Sequence, residues 1–198
     1  MLQKNPAPRK PLRLDDEVRF LQSWIQNPLT TGAVTPSGRA LAKAMADQVD
    51  MGTPGPIVEL GPGTGAVTAA LIARDLDPSR LILLEFNEEF CELLQRRYPA
   101  ARVLQGDAYA LLRTLHKELP EPAAAVVSSL PLFTKPLRRR VTLLEAAFRL
   151  MRPNAPFIQF TYAVVPPIPK DGGSYTAEVT PRIWLNVPPA RVWVYRRP

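Results

Sequence analysis

The sequence holds one cysteine, Cys91, and one histidine, His116. A lone cysteine excludes an intrachain disulfide and a thiolate cluster. A lone histidine excludes a histidine-based zinc centre. No metal site is therefore expected. No apolar run approaches the roughly 20 residues that cross a bilayer as a helix. Met1 to Pro6 show no apolar core of a secretory signal, so the reducing cytoplasm is the expected compartment. The 23 prolines are the opposite case, an excess. Nine lie between Pro153 and Pro198, which argues against a helical C-terminal unit.

What is present points to a globular enzyme-sized chain. The 198 residues, 46% of them hydrophobic, suffice for one domain with a real core. The formal net charge of +7 favours an anionic partner, either nucleic acid or a membrane surface.

Two segments are expected. Residues 1–30 read as a basic arm followed by an amphipathic helix. Pro6, Pro8 and Pro11 alternate with Lys4, Arg9 and Lys10, and then Leu14, Val18, Leu21 and Ile25 recur at helical spacing beside Trp24. That pattern suits a helix lying in a membrane interface and equally one whose apolar stripe packs on the domain, covering the site when lipid is absent. Residues 31–198 alternate helices with short apolar strands: Pro56–Leu60, Leu81–Leu84, Ala101–Gln105, Ala123–Ser129 and Phe157–Ala163. Continuous apolar strands separated by helices predict a mostly parallel sheet covered on both faces. Arg182–Val187 and Arg191–Arg196, joined by Pro188-Pro189, are expected to close it as an antiparallel hairpin. The predicted class is α/β, Rossmann-like and seven-stranded.

Seven of the ten glycines fall between Gly32 and Gly65. The strand ending in Glu59-Leu60 runs into Gly61-Pro62-Gly63-Thr64-Gly65, and a helix opens directly after it. A glycine turn between strand and helix lets backbone approach a nucleotide-like ligand closely. The spacing matches neither the dinucleotide fingerprint nor a P-loop. Glu85 ends the next strand, where an acid can accept from ribose hydroxyls. Gly106-Asp107-Ala108 ends the strand after that, where a carboxylate can receive an adenine amino group. Glu59 beside the loop would repel a pyrophosphate and suit a ligand carrying an ammonium and a sulfonium.

This constellation resembles the class I S-adenosylmethionine-dependent methyltransferases. The resemblance implies that S-adenosylmethionine is held by Gly32, Ala33, Glu59, Gly61, Pro62, Gly63, Thr64, Gly65, Glu85, Phe86, Asn87, Gly106, Asp107, Ala108, Ser129 and Leu130. Within that superfamily, Phe20 to Ile25, Thr31 to Gly38, Ser129-Leu130-Pro131-Leu132 and Trp184 to Ala190 resemble the bacterial phosphatidylethanolamine N-methyltransferases of the soluble, peripheral type. That resemblance implies methylation of a phospholipid amine towards phosphatidylcholine. It places the protein at the inner face of the cell membrane, held to the anionic surface by the N-terminal helix. No nucleic-acid partner is expected. Ribosomal RNA adenine dimethyltransferases usually carry Asn-Leu-Pro-Tyr after the fourth strand. Here Ser129 stands for the amide and Leu132 for the stacking aromatic. An RNA or other small-amine methyltransferase and a non-catalytic binding module are the competing readings.

Tyr162 and Tyr175 are the candidates for orienting the amine or binding the lipid phosphate. Phe20, Trp24, Pro131, Leu132 and Lys170 are expected to meet the substrate, the aromatics because their faces suit a cationic amine. Residues 164–179 are expected to form a lid. His116 reads as solvent-facing and Cys91 as a small apolar residue.

Overall fold

The computed structural model describes residues 36–170 and 174–198. The expected arm and amphipathic helix, with Phe20, Trp24, Gly32 and Ala33, lie outside the described residues. The strands are β1 (Ile57–Leu60), β2 (Leu81–Glu85), β3 (Arg102–Gln105), β4 (Ala125–Ser128), β5 (Phe157–Thr161), β6 (Thr176–Val179) and β7 (Arg191–Arg196). The helices are α1 (Pro36–Ala46), α2 (Ala66–Ile72), α3 (Glu88–Arg97), α4 (Leu111–Leu115) and α5 (Leu137–Leu150). They build one seven-stranded sheet in the order β3-β2-β1-β4-β5-β7-β6. β1 to β5 are parallel, and β7 is antiparallel to both of its neighbours.

The period-2 alternation of the strands divides the core between two faces. Val58, Leu60, Ile82, Leu84 and Val126 meet Leu111, Leu115, Leu143 and Leu144 of α4 and α5. Ile57, Leu81, Leu83 and Val127 meet Leu41, Met45, Val67, Leu71 and Leu94 of α1, α2 and α3. β1, β2 and β4 are buried along their whole length, which is why they read as unbroken apolar runs. Each fully buried aliphatic side chain contributes about 1.5–3 kcal/mol. β3 and β6 are the partly exposed edges. Asn87 caps α3, its Oδ1 accepting from Phe90 N at 3.1 Å, and Glu88 and Glu89 complement the dipole in its first turn.

The hairpin departs from the sequence reading. The partner of β7 is Thr176–Val179, within the stretch expected to be a lid, and not Arg182–Val187. Residues 182–187 belong to an excursion between β6 and β7, tied at its base by an Ile183–Ala190 bridge. Pro181, Pro188 and Pro189 lack the N–H groups that a longer ladder requires. The expected lid is also anchored. Ile168 is fully buried, its N–H donating to the Tyr195 hydroxyl at 3.2 Å while that hydroxyl donates back to Ile168 O at 3.1 Å.

Candidate functional site

The strand order reverses between β1 and β4, and the crevice outside the carboxyl ends of the strands at such a switch point is where ligands bind in open α/β sheets. The glycine turn leaves β1 there. Gly61, Gly63 and Gly65 have φ of 66°, 56° and 82°, a left-handed conformation that side chains resist. They do different work. A Cβ on Gly61 would stand 2.9 Å from Leu130 Cδ2, and one on Gly65 would stand 2.8 Å from Tyr98 Cε2 and 3.1 Å from Leu94 Cδ2. Those two glycines permit packing. A Cβ on Gly63 would meet nothing within 4 Å. Gly63 faces open space, so the turn presents bare backbone to whatever binds.

Two carboxyls flank this backbone. Glu59 is fully buried; its Oε2 accepts from Thr68 Oγ1 at 2.6 Å and its Oε1 has no partner. Burial raises its pKa to about 7, and the neighbouring charge of Glu85 adds to the rise. A buried half-satisfied acid is costly and marks a place where a cation or donor would be welcome. Glu85 Oε1 accepts from Phe86 N at 2.8 Å and Asn87 N at 2.9 Å, and its Oε2 accepts from Gly63 N at 3.0 Å. A carboxylate has about four acceptor sites, so one remains for a hydroxyl, not the two expected for a ribose diol. A second hydroxyl must displace the Gly63 amide. Phe86, beside it, is 76% exposed and offers an aromatic face to a planar ring. An open backbone cradle, an orphaned acid oxygen and an exposed ring next to a hydroxyl-accepting acid fit a nucleoside ligand with a cationic tail.

The other expected contacts are placed as follows. Asp107 is exposed, and its Oδ1 accepts from Tyr109 N at 2.8 Å, capping the turn that opens before α4. Pro62 and Ala108 are buried. Gly106 packs on Thr114, 2.9 Å from where a Cβ would sit. The Thr64 carbonyl accepts from Arg97 Nη1 at 2.7 Å. Ser129 N donates to Leu60 O at 2.9 Å, and the Leu130 carbonyl accepts from Gln159 Nε2 at 3.0 Å, which fixes the segment after β4 against the glycine turn.

That segment forms a small cleft with the end of β5, lined by Pro131, Phe133, Phe160, Tyr162 and Pro167. Tyr162 lies in it, edge-on to Phe160 with ring centroids 5.4 Å apart. The Arg140 guanidinium lies 4.9 Å from the Phe133 ring centroid. Phe160 escaped the sequence reading, although its period-2 spacing from Tyr162 was an available signal; Phe133 directly follows the Ser129-Leu130-Pro131-Leu132 motif and was not singled out within it. Two expectations are corrected. Leu132 is 2% exposed and belongs to the core, so it only backs the cleft. Tyr175 is buried against Phe148 and Tyr195, and its hydroxyl donates to Pro169 O at 2.7 Å. It ties Pro169 to the core and is not an amine-orienting group. Lys170 is exposed. His116 is exposed and Cys91 buried, as their sequence positions suggest. Among the described residues no cluster could hold a metal ion and no helix is long and apolar enough to cross a membrane.

Comparison with known proteins agrees with this architecture. The N-methyltransferase NodS from Bradyrhizobium japonicum WM9, solved with S-adenosyl-L-homocysteine, superposes with a TM-score of 0.64 at 12% identity, covering 91% of this chain and 97% of that one. The chain has the Rossmann-like fold of the class I methyltransferases. An ornithine lipid N-methyltransferase of Singulisphaera acidiphila is 27% identical over 151 residues, 75% of this chain and 79% of that protein. A ribosomal RNA small subunit methyltransferase A of Synechococcus sp. (strain JA-3-3Ab) is 30% identical over 140 residues, 69% of this chain but only 42% of that protein. No family profile matches the chain.

Proposed function

We propose that this methyltransferase-fold chain is an S-adenosylmethionine-dependent N-methyltransferase whose acceptor is the amine of an aminolipid, phosphatidylethanolamine and its methylated derivatives first among them. The cofactor reading rests on Gly63, Glu59 and Glu85. Bound there, S-adenosylmethionine supplies an electrophilic methyl carbon on a sulfonium. The ionised Glu59 carboxyl would hold the ammonium of the cofactor, Glu85 a ribose hydroxyl and the Phe86 ring the adenine. Alignment is the main work the protein performs. The Phe133, Phe160 and Tyr162 rings beside the glycine turn offer faces to a cationic or partly methylated amine. The acceptor ammonium would first lose its proton to water; the neutral nitrogen would then bond the methyl carbon as the carbon–sulfur bond breaks, with the neutral thioether as leaving group.

What favours a lipid over a base is that Ser129 and Leu132 stand where ribosomal RNA adenine dimethyltransferases carry the amide and the stacking aromatic, and that Leu132 is turned into the core. The similarity to an ornithine lipid N-methyltransferase over most of both chains supports the same class. The RNA methyltransferase relatives are matched over less than half their length, and they define the second reading. The test uses purified protein, labelled S-adenosylmethionine, liposomes containing phosphatidylethanolamine or ornithine lipid, and total RNA in parallel. Label in mono-, di- and trimethylated aminolipid is the expected result and counts the steps. Label in RNA alone overturns the acceptor.

A further inference from the structure

We propose that the loop between β6 and β7, residues 180–190, is a membrane-insertion element that seats the site-bearing end of the sheet on an anionic bilayer. β6 and β5 both pair antiparallel with β7, so β6 runs parallel to β5. The loop therefore leaves β6 at the end of the sheet that carries the glycine turn, Glu85 and the aromatic cleft. On it Trp184, Leu185 and Val187 are 71%, 80% and 75% exposed. Val164 and Val165, which follow β5, and Val179, which ends β6, are exposed at the same end. With Phe86 after β2 and Leu137 at the start of α5, these are all the large apolar side chains left exposed among the described residues. The opposite end of the sheet has none of them. Apolar exposure confined to one end marks an interaction surface.

The loop is built, not loose. Ile183 and Ala190 bridge its base with N···O distances of 2.8 and 3.3 Å. Asn186 is 3% exposed, and its Nδ2 donates to Pro188 O at 2.6 Å. The amide is turned inward while the flanking Leu185 and Val187 are turned out, the reverse of what water selects. The Arg182 guanidinium lies 5.5 Å from the Trp184 ring centroid, and a Trp beside a cation is an arrangement suited to the headgroup level.

Charge selects the kind of surface. Exposed Lys135, Arg138, Arg139 and Lys170 stand on the β4–β7 half of this end. Its acids, Glu85, Glu88, Glu89 and Asp107, stand on the β1–β3 half. Glu178 on β6 pairs with Arg196 at 3.5 Å. Cations around an apolar tip match an anionic lipid surface. An RNA would be met by several stacking rings; this loop carries one, Trp184, and aliphatic Leu185, Val187, Val164 and Val165 offer none.

The proposal deepens the aminolipid reading, since it brings the cleft to the acceptor's own phase; the docking itself is tested apart from it. In the full chain, W24F/W193F leaves Trp184 as the sole tryptophan. Its emission is expected to shift to the blue with phosphatidylcholine–phosphatidylglycerol vesicles and to be quenched by brominated phosphatidylcholine, with much less response to phosphatidylcholine alone. W184A/L185A/V187A, which keeps Asn186, is expected to sediment with those vesicles at least about tenfold more weakly. It should bind S-adenosylmethionine as the parent does and methylate a water-soluble short-chain aminolipid at the parent rate. Trp184 emission indifferent to vesicles, or equal sedimentation of the triple variant, overturns the docking. So does emission already blue without lipid (the patch covered by residues 1–35), a dimer that the triple variant dissociates, or binding of RNA in place of vesicles. Vesicle binding with no aminolipid methylated leaves the docking standing and removes the acceptor reading instead.

Discussion

The two halves of the sheet's carboxyl end solve different problems. The β1–β3 half is polar and built from short-range chemistry. Its glycine turn, Glu59, Glu85 and Asp107 each sit at a strand end, and Glu85 alone accepts three backbone N–H groups, one of them from the glycine turn. The β4–β7 half is apolar and basic, assembled from Phe133, Phe160, Tyr162 and the 180–190 excursion, residues far apart in sequence. A ligand common to many reactions needs directional hydrogen bonds. An acceptor in a lipid phase needs a shaped apolar mouth. The difference teaches that cofactor and acceptor recognition are carried by separable parts of one sheet edge.

The largest effect expected falls on Glu59. Its folded pKa is raised from 4.5 to about 7 by burial, so the folded state binds more protons than the unfolded one between those values. Stability therefore falls as pH rises from 4.5 to about 7. The shift sets an upper bound of about 3 kcal/mol on this contribution. Glu59→Gln removes it, and denaturant titrations at a series of pH values should show the variant gaining on the parent until about pH 7 and then holding level. Cofactor affinity should move the other way. Ionised Glu59 is the form that meets an ammonium, so the parent's affinity rises through the same window, while the variant binds weakly at every pH. A variant that loses stability and keeps its affinity would mark Glu59 as a purely structural acid and break the contrast between the halves.

The β1–β3 half was also the half legible in the sequence. Glu59, the glycine turn and Glu85 are spaced along one continuous stretch, and buried parallel strands announce themselves as apolar runs. The acceptor half was harder to read for physical reasons. β6 is a four-residue edge strand, mostly exposed, so Thr176–Val179 carries no apolar signal, whereas Arg182–Val187 looks like a strand and is not paired as one. Tyr175 and Leu132 are ordinary polar-tipped and aliphatic residues whose burial depends on Phe148, Tyr195 and the core, none of them near in sequence. What the sequence could not supply was the direction each side chain takes from a partner many residues away.

Gly63 and Gly65 sharpen the contrast within the turn itself. Gly63→Val introduces a β-branched residue at φ 56°, a strain of about 1–2 kcal/mol, and fills the open space that Gly63 faces. Isothermal titration should show cofactor affinity falling about a hundredfold with a modest drop in Tm. Gly65→Ala, whose Cβ would press on Tyr98 at 2.8 Å, should reverse the balance, with the larger loss in Tm. Equal effects of the two on binding would mean that the open face of Gly63 is not the cradle.

In the acceptor half, Tyr162→Phe keeps the ring edge-on to Phe160 and deletes the hydroxyl. If that hydroxyl orients the amine, kcat falls about tenfold, a typical loss for one positioning hydrogen bond, while cofactor affinity stays unchanged. A kcat at the parent value would leave only the ring of Tyr162 with a role.

The smallest effect belongs to Tyr175, and it decides whether the two tyrosines differ in kind. Tyr175→Phe removes a hydroxyl that donates to Pro169 O at 2.7 Å and leaves the ring packed on Tyr195 with centroids 6.0 Å apart. The loss should be about 1 kcal/mol of stability, the worth of one neutral hydrogen bond, read as a fall of a few degrees in Tm. Well below that Tm, kcat and KM for both substrates should match the parent, because Tyr175 ties Pro169 of the 164–179 segment to the core and touches nothing that reacts. If kcat falls with Tm unchanged, that hydroxyl reaches the acceptor in solution. The segment would then have to release Pro169 to let it do so, which would restore the lid expected from the sequence.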